Sequence, residues 1–99
     1  MKISYDIRSL RNDAAVLRGR FGNAIRKLRR ERDLTQADLG DKSGLHRTYI
    51  ADVERGARNP SLLTVATLAN ALGLKMSDLF RIAESSNFPA TERRNFKRR

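Results

Sequence analysis

Between Thr35 and Gly56, two short apolar-periodic segments flank a single glycine, and this stretch limits the fold more than any other part of the chain. The first segment has a helix start signal in Thr35, with Asp38 three residues on as the acidic partner of a capping box. Gly44 supplies the turn, because a left-handed backbone costs least at glycine. The second segment, placed at roughly 100° per residue, has two unlike faces. Ile50 and Val53 point inward with Leu45 closing the turn beneath them, while Arg47, Thr48, Ala51, Asp52 and Arg55 point outward. A planar donor, a hydroxyl, a methyl and an acceptor on one face are what reading base edges in a major groove requires.

Individual positions sharpen this expectation. Arg47 sits in the first turn, where a cation faces the positive end of the helix dipole, an unfavourable placement unless an anion lies outside. The face alone is equally that of a solvated helix that happens to carry an arginine; as a reading face it has Arg47 as its leading base reader, suited to the O6 and N7 of guanine, with Thr48 offering a hydroxyl and a methyl. A carboxylate at Asp52 is repelled by phosphates, so it either accepts from cytosine N4 or holds Arg47 or Arg55 in position. His46 either caps the helix or touches the DNA backbone. Tyr49 lies between the faces, with its ring on the core and its hydroxyl free for a phosphate. Gly56 ends the helix, and Pro60 fixes the chain ahead of a Ser61 cap.

The net charge of +10 in 99 residues implies a polyanionic partner, nucleic acid or an acidic membrane surface, since self-repulsion opposes compactness. No cysteine is present, and one histidine cannot build a metal site or a nucleophile–base pair, so no metal, cofactor or enzymatic role is expected. The Met1–Ile7 start has no apolar run of signal-peptide length. The apolar stretch from Leu62 to Leu74 is broken by Thr64, Thr67 and Asn70 and falls short of the ~20 residues of a membrane span. A cytoplasmic protein of one domain is expected.

Upstream, Ile7, Leu10, Ala14, Leu17, Phe21, Ala24 and Leu28 recur at helical spacing, predicting a helix from about Asp6 in an extension covering residues 1–19. Gly19 and Gly22 predict a bend or break before a helix at about Arg20–Arg32, whose outer face carries Arg26, Lys27, Arg30 and Arg32. Downstream, Leu62, Val65, Ala66, Ala69 and Leu72 form an apolar stripe on a fourth helix, with Leu63 and Leu68 partly outside it. Gly73 stops that helix, and Ser77 is placed to cap a fifth containing Leu79, Phe80 and Ile82. From residue 84 the chain turns polar and basic, the composition of a disordered tail that adds nonspecific affinity for phosphates.

The run His46-Arg47-Thr48-Tyr49-Ile50 followed by Glu54-Arg55-Gly56-Ala57-Arg58-Asn59-Pro60 resembles the helix-turn-helix of the Cro and lambda-repressor family, most closely the small controller proteins of restriction–modification systems. The likeness extends from Arg20 to Ala83 and implies an all-α, five-helix DNA-binding domain over residues 20–83. It further implies an ion pair between Arg29 and Glu54, phosphate contacts from Gln36, Arg58 and Asn59, and a homodimer whose two-fold contact involves the last helix. Gly40 stands where the family usually has alanine: a small residue there lets the two helices approach closely, and the change to glycine should loosen the second helix slightly without altering the crossing. The expected function is a sequence-specific regulator of transcription, acting as a homodimer on a pseudo-palindromic operator in double-stranded DNA. Two alternatives remain at this level: an antitoxin that neutralises a toxin partner while autorepressing its genes, and an RNA binder working through the arginine-rich tail.

Overall fold

The computed structural model describes residues 7–85, with side chains described from residue 13 onward. Ile7 and Leu10 of the predicted seam, Phe88 and Phe96 of the tail, and the tail from residue 86 on lie outside those side chains. Five α-helices follow one another, with no strand among the described residues: α1 (Ile7–Glu31), α2 (Gln36–Ser43), α3 (Arg47–Glu54), α4 (Leu62–Ala71) and α5 (Met76–Ser85). Helix α1 packs on α3 and α5, α2 on α3 and α4, and α4 on α5. Each helix places at least one large, fully buried aliphatic side chain in the common core: Ile25, Leu39, Ile50 with Val53, Leu68 and Leu79. Burial of each stabilises the fold by about 1.5–3 kcal/mol.

Helix α1 runs without interruption through Gly19 and Gly22, against the predicted bend or break. These glycines are sites of close approach. A Cβ on Gly22 would stand 2.2 Å from the carbonyl oxygen of Val53 and 2.8 Å from that of Glu54, both on backbone at the end of α3. Gly56, with φ 77°, brings its Cα so near α1 that an added Cβ would lie 3.2 Å from the Cα of Gly19. At Gly22 the ~1 kcal/mol penalty of a mid-helix glycine is offset by a backbone approach that any Cβ would block. Of the predicted seam, Phe21, Ala24 and Leu28 are buried, while Leu17 is 55% exposed.

The α2–turn–α3 unit forms for local reasons. The Thr35 hydroxyl accepts from the Asp38 amide at 3.0 Å, and the Asp38 carboxylate accepts from the Thr35 amide at 2.9 Å, completing the capping box. Gly44 adopts φ 75°, and the amides of Gly44 and Leu45 both donate to the Gly40 carbonyl, at 2.8 and 3.1 Å. The close approach expected at Gly40 is present. A Cβ there would meet the Leu45 carbonyl oxygen at 2.6 Å, so glycine lets the turn fold down onto α2.

Two further differences follow from helix phase. In α4 the buried residues are Val65, Leu68 and Ala69, with Leu72 buried at the C-cap, whereas Leu62 is 72% exposed. The buried arc is centred toward Leu68 and Leu72, leaving Leu62 at its edge in the first turn and Leu63 beyond it. Helix α5 begins at Met76, so Ser77 lies inside its first turn instead of capping it, and the helix continues through Glu84 to Ser85, past the predicted start of the tail.

Candidate nucleic-acid interface

Two acidic residues two positions apart on α3 organise the surroundings of this helix, one on each face. On the inner face Glu54 is fully enclosed. Arg29 grips it with two parallel bonds, Nε to Oε2 at 2.6 Å and Nη2 to Oε1 at 3.1 Å, and donates Nη1 to the Leu34 carbonyl at 2.7 Å. The bond to Glu54, ahead of the opposing effect of burial, raises the pKa of Arg29 above the ordinary arginine value. Gln36 Nε2 donates to Glu54 Oε1 at 3.0 Å, and Arg26 Nε stands 3.6 Å from the same oxygen. Arg26 Nη2 also donates to the Glu54 carbonyl at 3.4 Å. One carboxylate therefore joins α1, the first turn of α2 and the last turn of α3, which fixes how α3 is presented.

The outer face begins at His46, whose Nδ1 accepts from the Thr48 amide at 3.1 Å and caps the helix. With Nδ1 accepting, the ring carries its proton on Nε2, a donor left for an outside acceptor. Arg47 and Thr48 are exposed, and Arg47 makes no ion pair among the described residues. Ala51 is half-buried beside them.

Asp52, also half-buried, holds two arginines: Arg55 Nη2 bonds to Oδ1, and Arg58 Nε donates to Oδ2 at 3.3 Å. The Arg55 bond in the first place, and Arg58 after it, keep the Asp52 carboxyl below the usual carboxylate range. The Arg58 guanidinium lies over the Tyr49 ring, 5.4 Å from its centroid, and that ring packs on the core. Asp52 thus holds Arg55, as one alternative anticipated, but holds Arg58 in place of Arg47. Asn59 is exposed in the loop after α3.

Among the expected phosphate contacts, Gln36 spends one N–H on Glu54 and keeps a second, since its amide carries two. Sequence reasoning missed three arginines that bond to backbone or to the buried joint. Arg26 is a second cation beside Glu54, Arg18 Nε donates to the Gly56 carbonyl at 3.3 Å, and Arg32 Nε donates to the Leu72 carbonyl at 2.8 Å. The signal for the first two was Gly22 and Gly19, since glycine inside a strong helical seam marks a place where another backbone comes close.

A second surface is apolar. Leu17, Leu62, Leu63 and Phe80 are 55%, 72%, 76% and 39% exposed. Leu17, Leu62 and Phe80 border a groove of about 420 Å³ between α1, the start of α4 and α5, where Phe80 stands 6.3 Å, ring to ring, from Phe21.

Comparison with known proteins matches residues 25–79 to a family model described as helix-turn-helix. The immunity repressor protein of Bacillus phage phi105 is 48% identical over 56 residues, covering 57% of this chain but only 39% of the repressor. Control protein C.MunI of a Mycoplasma species is 42% identical over 62 residues, covering 62% of this chain and 84% of that protein. Among solved structures, the restriction-modification controller protein C.AhdI from Aeromonas hydrophila aligns with a TM-score of 0.61 at 42% identity, covering 63% of this chain and 94% of that one.

Proposed function

From the premise that the chain belongs to the helix-turn-helix family, we propose that it is a sequence-specific DNA-binding regulator of transcription in which α3 enters the major groove. The observation that carries this is the outer face of α3. Arg47 is exposed, unpaired among the described residues and set against the positive end of its own helix, so an anion or a base acceptor is the partner it lacks. Thr48, Ala51 and Asp52 complete the face toward the bases, and Arg55, the C-cap residue, flanks it where it can turn to a base edge or to a phosphate. His46 Nε2, the spare N–H of Gln36, Tyr49, Arg58 and Asn59 supply contacts to the sugar-phosphate backbone. The likeness to control proteins supports a restriction–modification controller as the specific role.

The regulator acts as a homodimer on a pseudo-palindromic site, with half-sites about one turn, 10–10.5 bp, or a multiple apart. Leu62, Leu63 and Phe80 are the exposed apolar side chains that a two-fold contact through α4 and α5 would cover. Selection of binding sites from random duplexes tests the proposal. The wild type should recover a two-fold symmetric sequence, and Arg47→Ala should weaken binding to it by about 1–3 kcal/mol and relax preference at one base pair per half-site. An unchanged site preference in the Arg47 variant would remove Arg47 from the reading face.

A further inference from the structure

Asp52 is the one acidic side chain on the outer face of α3, and it occupies two cations that would otherwise lie free for phosphates. We propose that Asp52 is a specificity-determining residue that withholds Arg55 and Arg58 from the phosphates of unmatched DNA and yields them only where an exocyclic base amine, on cytosine or adenine, satisfies its carboxylate. This rests on the placement of α3 in the major groove.

The geometry supports each half of the device. Arg55 and Arg58 approach different oxygens of one carboxylate, so a single negative charge holds both. Both arginine side chains are more than half exposed, 63% and 53%, whereas the Asp52 side chain is 18% exposed, so the cations can swing outward while the carboxylate stays. Exposed pairs of this kind are weak and screened, which makes them exchangeable for a better partner. Arg58 is also held over Tyr49, so its outward swing starts from one defined position.

The base edges supply the selection. Cytosine N4 and adenine N6 are the amine donors in the major groove, while guanine O6 and N7 and thymine O4 are acceptors that repel a carboxylate. Over an unmatched sequence Asp52 therefore keeps its arginines, and over a matched one it exchanges them for an amine while they move to phosphate.

Each phosphate contact adds about 0.9 to the slope of log affinity against log salt. Asp52→Asn should thus steepen that slope on a random-sequence duplex by up to about 2 and tighten binding there by on the order of tenfold at low salt. Affinity for the duplex selected by the wild type should rise less, so the ratio of selected to random affinity falls. Adding Arg58→Ala to Asp52→Asn should take back about one unit of slope, and Asp52→Ser, which also lacks the charge, should behave as Asp52→Asn does. The inference is overturned if the wild type discriminates between the two duplexes and both Asp52 variants keep its ratio and its random-duplex slope. A wild type that shows no preference among duplexes fails earlier, at the placement of α3, and takes this inference with it.

Discussion

Glu54 and Asp52 sit two residues apart on one short helix, both bound to arginines, yet they do different work. Glu54 is sealed from solvent and receives Arg29, Gln36 and the nearby Arg26, so its neighbours come from two other helices, α1 and α2. Asp52 receives Arg55 and Arg58, both from the same short region and both exposed. Burial decides the outcome: a desolvated pair is costly to leave half-made, while a wet pair is cheap to open. The inner cluster therefore fixes where α3 stands, and the outer one adjusts what α3 touches.

The largest expected effect comes from breaking the inner cluster on one side. Arg29→Met strands the Glu54 carboxylate and should destabilise the protein by about 3–5 kcal/mol. At about 4–8 °C per kcal/mol for a domain of this size, its melting temperature should fall by more than ~10 °C. Arg29→Met combined with Glu54→Leu should recover most of that loss, because no buried charge is then left unpaired. Melting of the single variant at the wild-type temperature would make the inner cluster no different from the outer one.

A smaller effect is expected at the backbone contact beside that cluster. Gly22→Ala puts a methyl group 2.2 Å from the Val53 carbonyl oxygen, so α1 and α3 must separate, at about 1–3 kcal/mol. Chemical denaturation would measure the loss. Because Arg26 and Arg29 reach Glu54 from α1, the same variant should also weaken DNA binding by misplacing α3. A variant of full stability and full affinity would show that the close approach is dispensable.

What the sequence disclosed followed from periodicity and caps. Thr35, Asp38 and Gly44 specify α2 and its turn with residues at most nine positions apart, and the inward Ile50 and Val53 follow from helical spacing alone. The pairing of Arg29 with Glu54 crosses 25 residues, and only the family likeness suggested it. Where sequence reasoning went astray, the deciding contact was distant: Gly22 answers to the end of α3, and the burial of Leu68 in place of Leu62 to how α4 is rotated against its neighbours. The hold of Asp52 on Arg58 was illegible because it depends on a loop conformation after Gly56 that brings position 58 back alongside the helix.

The smallest expected effect concerns acid. The carboxyl groups of Asp38 and Asp52 are both held below their ordinary range, Asp38 chiefly by the Thr35 backbone amide and Asp52 chiefly by the Arg55 side chain. A lowered folded-state pKa contributes stability that is present above the unfolded value, about 3.9 for aspartate, and lost as pH falls through the folded one. Melting temperature followed from pH 6 down to pH 2 should therefore decline on an acid limb, and Asp38→Asn and Asp52→Asn should each flatten it. The two contributions separate in salt. The capping box is a pair of local hydrogen bonds to neutral donors and should persist, whereas the Asp52 pairs are exposed ionic contacts that added salt screens. Equal flattening by both variants at high salt would mean that Asp52 is tied to its arginines as firmly as Asp38 is to its cap, and an acid so firmly held could not exchange partners on DNA.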